Sequence, residues 1–471
     1  MSTKKVAVDF GDKKLDIDVP DHASVVEFED PPFLPDPAAA VRETLAKPYN
    51  SPPLAELIKP GMRVAIGFDD ITRPNTPPRT ILPIIVEELL AKGVKQRDIL
   101  FVNACSNHRK NTRAELANHL GPEIFGTFWG TGQILNHDCT DQEQLQYFGV
   151  TDGGRYVEMN KHFVSADLMI YQGNVAAGAW RSYTGTGVAV GLASTRSIAS
   201  HHSFHGIPEP AVKVNAEKKA AAAPRKRVPS VKEEMTDYLD QALGRKVFYI
   251  NSFNGSGGRM AGVFAGYADG VKSPAWELAE KYVRRPTPEA DVLIVGLPAS
   301  YSYGSSNNTL IATVGATVPP PYCPEAPVLR EGGVVIACSP ANGHIDADRF
   351  PSYQPAIDLY ARYFSSRDMV DHEDEFDHRP DFRHKYTHGY GYPPLHAFWL
   401  FYENEYLLKR AGAVIMAGTP NPGAFRALGL TPARNFDEAW QIAKKYVGAN
   451  PRTVVAPTFW SKPRIKFDVP R

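Results

Sequence analysis

Short, almost wholly apolar runs recur along the chain and end in small or polar residues. They are Arg63–Phe68 (RVAIGF), Asp98–Asn103 (DILFVN), Asp167–Tyr171 (DLMIY), Val247–Ile250 (VFYI), Asp291–Gly296 (DVLIVG), Gly333–Ala337 (GVVIA), Ala413–Ala417 (AVIMA) and Thr453–Ala456 (TVVA). Runs this continuously apolar are buried on both faces, the mark of a parallel sheet covered by helices. Between them lie helical stretches. Arg79–Lys92 sets Ile81, Ile85 and Leu89 at i, i+4 spacing, with Pro83 read into its first turn and Gly93 as its stop. Ser273-Pro274 reads as an N-cap and first residue opening a helix over Ala275–Val283. Strand and helix in alternation predict the α/β class.

Other stretches break the pattern. Arg284-Arg285-Pro286-Thr287-Pro288 reads as a linker, which divides the chain into residues 1–285 and 286–471. Lys213–Arg227 (KVNAEKKAAAAPRKR) lacks apolar periodicity and reads as an exposed linker. Asp371–Asp381 (DHEDEFDHRPD) places His372 and His378 among carboxylates; a solvated loop is the better reading, metal binding the weaker. Asn254–Gly262 (NGSGGRMAG) reads as a hairpin turn.

Composition narrows the function classes. The 471 residues carry 52 Lys+Arg against 52 Asp+Glu, so neither a nucleic-acid footprint nor a polybasic membrane signal is expected. The four cysteines, Cys105, Cys139, Cys323 and Cys338, form no CxxC pair. No apolar run approaches a signal-peptide core or a membrane span, so a cytoplasmic protein is expected.

In an open parallel sheet, ligands bind beyond the carboxyl ends of the strands. After RVAIGF comes Asp69-Asp70-Ile71-Thr72-Arg73-Pro74, two carboxylates, a hydroxyl and a guanidinium suited to a polar, anionic or nucleotide ligand. After DILFVN comes Ala104-Cys105-Ser106-Asn107-His108-Arg109, where His108 is a candidate general base. After DLMIY comes the glycine-rich stretch Gly173–Gly187, containing Trp180, Arg181, Tyr183, Gly185 and Gly187. Its glycines permit close backbone approach to a ligand, although a lone Gly-Thr-Gly is no dinucleotide fingerprint. Farther on, His201-His202 ends a helical turn, where only one of two adjacent side chains readily faces a given site.

These strand-end motifs, in this order, resemble the lactate racemase family, whose members use a nickel-pincer nucleotide. The DDITRP turn is the most specific element; Asn107-His108-Arg109, Asn136-His137-Asp138, MAGVFAG at Met260–Gly266 and Asn342-Gly343-His344 extend the likeness over most of the chain. The resemblance implies two Rossmann-like α/β domains with the active site in the cleft between them. It implies that Asp69, Asp70, Thr72 and Arg73, with Gly185 and Gly187, hold cofactor and substrate, that His108 is a catalytic base, and that His202 ligates nickel. The implied activity is racemisation or epimerisation of a 2-hydroxy acid by reversible hydride transfer. Proteins of cofactor biosynthesis are implied as partners.

Two departures set this chain apart. Gly178 stands where the family carries a second base histidine, and no lysine lies between Lys161 and Lys213 to tether the cofactor. A non-covalently held nickel-pincer nucleotide (pyridinium-3,5-bisthiocarboxylic acid mononucleotide) is therefore expected. Tyr183 is expected as a substitute catalytic group alongside His108 and Arg73, and Trp180 and Arg181 as substrate contacts, with a substrate other than lactate. An oxidoreductase using a nicotinamide cofactor and a non-catalytic ligand-binding relative remain the alternatives.

Overall fold

The computed structural model describes residues 2–73, 78–176, 185–205, 230–320 and 327–470. Two sheets organise the chain. The first has strand order Met260–Tyr267, Phe248–Asn254, Leu168–Asn174, Val64–Asp69, Ile99–Ala104, Ile134–Asn136. All neighbours in it are parallel except Phe248–Asn254 with Met260–Tyr267, a hairpin turned by the Gly255–Gly258 stretch. The turn reading of Asn254–Gly262 thus holds, and Gly257 sits at φ +68°, where a side chain is strained. From Val64–Asp69 the chain steps outward through Ile99–Ala104 to Ile134–Asn136. It then returns to the other side of Val64–Asp69 with Leu168–Asn174. The topological switch point therefore lies between Asp69 and Asn174, the position at which α/β sheets place ligands.

The second sheet is built around Ala290–Pro298. This strand pairs in parallel with Leu329–Cys338 on one side and with Thr453–Ala456 on the other, and Leu329–Cys338 continues to Ala413–Ala417 and Thr431–Ala433. The hairpin Thr3–Gly11 and Lys13–Pro20 joins the same sheet through Phe10 opposite Leu297, and Ser24–Val25 pairs with Thr453–Ala456. The boundary at residue 285 groups this N-terminal segment with the first domain, whereas its strands complete the second sheet. The reason lies in its pattern: Val6, Val8, Ile17 and Val19 alternate with Lys and Asp, so only one face is buried. No continuous apolar run marks it.

Local readings were corrected elsewhere. The helix expected from Ser273 runs over Ala268–Val283 with Pro274 inside it, and Pro83 likewise lies inside the helix Pro78–Ala91 beyond its first turn. Asp371–Asp381 is mainly helical, not a loop, formed of a short helix over Glu373–Asp377 and the start of Pro380–Thr387. There His372 meets Glu375 and His378 meets the Asp374 carbonyl, and no metal-binding group occurs among the described residues. Lys213–Arg227 falls outside the described residues. Between the Leu329–Cys338 and Ala413–Ala417 strands a helical insert rises, ending in His396–Arg410, which packs on Thr309–Thr317 and reaches the Thr195–His202 helix. No described helix is long and apolar enough to cross a membrane.

Ile17, opposite Val6 and buried in the same apolar cluster as Ile294 and Ile336, tests the second-sheet role of the hairpin. Ile17→Ala should lower the unfolding free energy by about 2–5 kcal/mol, the range for a core aliphatic truncation. Denaturant melts would measure this, and a change near zero would contradict the assignment.

Candidate active site

The turn after Val64–Asp69 is shaped by its own side chains. Asp70 accepts the Thr72 amide at 3.2 Å and the Thr72 hydroxyl at 2.6 Å, and the Arg73 amide closes on the Asp70 carbonyl at 3.0 Å. Arg73 Nη1 donates to the same Thr72 hydroxyl at 2.7 Å. The other Asp70 oxygen lies 2.9 Å from His108 Nδ1, and both side chains are buried. Burial works against the Asp70 charge, but His108, Arg73 and Thr72 together hold its carboxyl below the ordinary value. An ionised Asp70 is acceptor only, so His108 Nδ1 donates to it and leaves Nε2 as the nitrogen free to act as a base.

The loop bearing His108 is pinned from beneath. Asn103, Asn111 and Asn136 form an amide cluster: Asn103 Nδ2 donates to Asn111 Oδ1 and Asn136 Oδ1, both at 2.8 Å, while Asn136 bonds the Asn111 backbone on both sides. Ser106 takes φ +55° and donates its amide to the Gly191 carbonyl at 2.9 Å. Arg109 is committed to a bidentate pair with Glu115. Burial pushes the Cys105 thiol well above its ordinary value, so it stays protonated and inert.

Asp69 points into the switch point. Tyr171 donates its hydroxyl at 2.8 Å and Asn174 its amide at 3.1 Å, yet burial outweighs these and Arg73, raising the carboxyl to about 6. Asp69, Asp70 and Arg73 line a small pocket together with Gly185 and Gly187. Packing restricts the glycines here: a Cβ on Gly187 would stand 2.1 Å from the Tyr171 ring and one on Gly191 2.6 Å from Ala104 Cβ. At about 50 Å³ this pocket suits water, not a nucleotide.

The larger space is a cleft of about 760 Å³ between the lobes. Thr72, Arg73 and His108 line it from the first lobe, and His202 from the end of the Thr195–His202 helix, which Ser194 caps. His201 Nε2 turns back to the Ala189 carbonyl at 3.4 Å, so of the two adjacent histidines it is His202 that lines the cleft. Burial first, then the Lys232 charge, hold the His202 pKa well below its ordinary value, leaving a neutral imidazole, the form in which histidine can act as a metal ligand. Trp180, Arg181 and Tyr183 lie outside the described residues.

The second lobe supplies residues that the sequence reading passed over. Tyr303 and Tyr392 stand 5.3 and 6.5 Å from the His108 ring, and His396 stands 6.0 Å away at right angles. Trp399 lies 5.9 Å from His202. His396 and Trp399 share one face of a helix whose spacing is that of any buried amphipathic helix, so no local signal marks them. Asn308, in the Ser305–Ala312 stretch, caps the Thr309–Thr317 helix.

A polar ligand would meet unsatisfied groups here. Asn111 Nδ2 and Asn254 Oδ1 belong to buried residues that line the cleft and have no hydrogen-bond partner among the described residues. Together with a neutral imidazole, a guanidinium and ample volume, they would suit a nucleotide carrying a soft-ligated metal.

The two carboxylates of the turn titrate in opposite senses. Folded Asp69 keeps its proton where an unfolded carboxyl has lost it, so its contribution to stability falls as pH rises from the ordinary 3.8 to about 6. Asp70, shifted downward, contributes stability at higher pH that is lost as pH drops through its lowered value. Between pH 4 and 6, Asp69→Asn should therefore show a flatter fall of denaturation midpoint than the parent chain. An unchanged slope would contradict the assignment.

The lactate racemase N-terminal domain model matches residues 10–214. The lactate racemase of Thermoanaerobacterium thermosaccharolyticum is 23% identical over 311 residues, 64% of this chain and 66% of the relative. That of Lactiplantibacillus plantarum is 25% identical over 307 residues, with the same coverage of 64% and 66%. The matched region thus spans just under two thirds of the length of these relatives. Among solved structures, the lactate racemase apoprotein from T. thermosaccharolyticum superimposes with a TM-score of 0.71 at 19% identity, covering 99% of this chain and 100% of that one. A protein of Thermotoga maritima matches with a TM-score of 0.57 at 16% identity, covering 93% and 99%. These two likenesses carry the fold. With the domain match and the curated relatives, they bear on one chain: residues 10–214, the DDITRP turn and His108 among them, carry the lactate racemase N-terminal domain, and the whole chain shares the fold of a lactate racemase.

Proposed function

We propose that this chain is a racemase or epimerase of a 2-hydroxy acid, working with a nickel-pincer nucleotide held non-covalently in the interlobe cleft. The observation that carries the reading is the buried Asp70–His108 pair opening onto the same cleft as Arg73 and His202. His108 Nε2 takes the substrate hydroxyl proton, and Asp70 fixes the opposite nitrogen and stabilises the charge that the ring acquires. Arg73, oriented through Thr72, takes the substrate carboxylate. His202 offers the neutral nitrogen for nickel. When bound, the nickel-pincer nucleotide would supply the acceptor for the α-hydrogen as hydride. Tyr183, Trp180 and Arg181 are the proposed second proton carrier and substrate contacts. Cofactor-biosynthesis proteins are the proposed partners.

Protein co-expressed with the cofactor pathway should contain nickel by elemental analysis and interconvert the stereoisomers of a 2-hydroxy acid. His202→Ala should lose the nickel. His108→Ala should keep it while kcat falls roughly 10²–10⁴-fold, the usual range for a positioned base. Protein free of nickel after such loading, or a His202→Ala variant that retains it, would overturn the reading.

A further inference from the structure

Beside the proposed base stands a second buried imidazole that the reaction described above leaves unused. His396 opens the His396–Arg410 helix and is 2% exposed. Its ring lies 6.0 Å from that of His108 at an interplanar angle of 83°. Tyr303 and Tyr392, which both line the cleft, stand 4.8 and 4.4 Å from it. On its other side, His396 Nδ1 lies 2.7 Å from the hydroxyl of the buried Tyr353.

The Tyr353 contact decides which nitrogen of His396 carries the hydrogen. A phenol is a stronger acid than a neutral imidazole N–H, so the hydroxyl donates and Nδ1 accepts. Burial keeps the Tyr353 hydroxyl protonated and His396 neutral. A neutral imidazole whose Nδ1 accepts has its hydrogen on Nε2. His396 Nε2 bonds to no described residue, and it is not among the unpartnered atoms sealed from solvent. The two histidines are therefore complementary: Asp70 makes His108 Nε2 an acceptor, and Tyr353 makes His396 Nε2 a donor.

Their separation suits one shared oxygen. A hydrogen-bonded oxygen lies roughly 4 Å from the centroid of the imidazole that holds it, so rings 6.0 Å apart can meet one oxygen from directions about 100° apart. A hydroxyl oxygen, with one donor and two acceptor directions, accommodates both nitrogens at such an angle.

Resting on the function proposed above, we infer that His396 is a further catalytic residue, which donates its Nε2–H to the substrate hydroxyl oxygen whose proton His108 takes. In that step the O–H and C–H bonds break and the C=O bond forms. The proton passes to His108 Nε2 and the hydride to the acceptor named above, while His396 keeps its own proton. Negative charge builds on the oxygen as its proton leaves, and a fixed, desolvated donor stabilises it more there than in the ground state. A neutral donor suits the place, since a second cation would oppose the charge that His108 acquires.

Nitrogen-15 NMR of the cofactor-free, full-length protein should show His396 as the Nε2–H tautomer. The Nδ1–H form as the main species would overturn the assignment whatever the activity. Cofactor-loaded protein is then assayed on whichever of lactate, malate and mandelate it isomerises fastest, with nickel content checking that each variant keeps its site. His396→Ala should lower kcat roughly 10²–10³-fold, the range for one lost oxyanion donor, and leave KM within about threefold because Arg73 still holds the carboxylate. His396→Gln, which keeps an N–H donor at similar reach, should recover to within about tenfold of the parent kcat. A His396→Ala kcat within about threefold of the parent, or a Gln variant no better than the Ala one, would overturn the inference and leave the proposed function standing. If the loaded parent isomerises none of the three acids, the proposed function fails and this inference with it.

Discussion

The hydrogen bond between Asp70 and His108 joins the ends of two adjacent strands, and most of the site is arranged around it. Asp70 follows Val64–Asp69 and His108 follows Ile99–Ala104, strands paired through Asp69 and Ala104. Burying a carboxylate is costly unless it is paired and hydrogen-bonded. The Asp70 environment meets that cost with His108, the Thr72 hydroxyl and amide, and the nearby Arg73 charge. The same contacts set the Thr72 hydroxyl as the pivot on which Arg73 hangs. One buried charge thereby orients the proposed base and the proposed carboxylate clamp together.

The loop holding His108 is fastened to both lobes. Lys110 forms a 2.8 Å ion pair with Asp138 and donates to the Thr387 carbonyl at 2.8 Å, while Tyr386 from the same insert receives the Cys139 amide. The hydrophobic cluster likewise runs without interruption from the first sheet into the helical insert. The cleft is thus walled by elements that pack on one another, and its floor is a rigid pair of strand ends rather than a free loop.

Much of this was legible in the sequence, for a physical reason. Strands buried on both faces leave continuous apolar runs, and parallel topology puts the residues that can meet a ligand directly after them, so Asp70, Arg73 and His108 stood out by position, whereas His202, at a helix end, was singled out by the family resemblance. The N-terminal hairpin escaped because a one-sided strand alternates and leaves no run. His396 and Trp399 escaped because their place beside His108 and His202 depends on which face of an ordinary helix meets the cleft, set by contacts far away in sequence. The glycines at 185 and 187 were read as cofactor candidates; packing also restricts both, since the Tyr171 ring fills the space a Cβ on Gly187 would need and Gly185 takes φ +61° against the Ala268 backbone.

The central claim is that Asp70 fixes His108 with Nδ1 protonated and Nε2 open to the cleft. Nitrogen-15 NMR of the imidazole ring, at a pH where it is neutral, reads that state directly. The account expects the Nδ1–H tautomer in the parent chain and its loss as the dominant form in Asp70→Ala. A parent chain whose His108 carries its proton on Nε2 would contradict it.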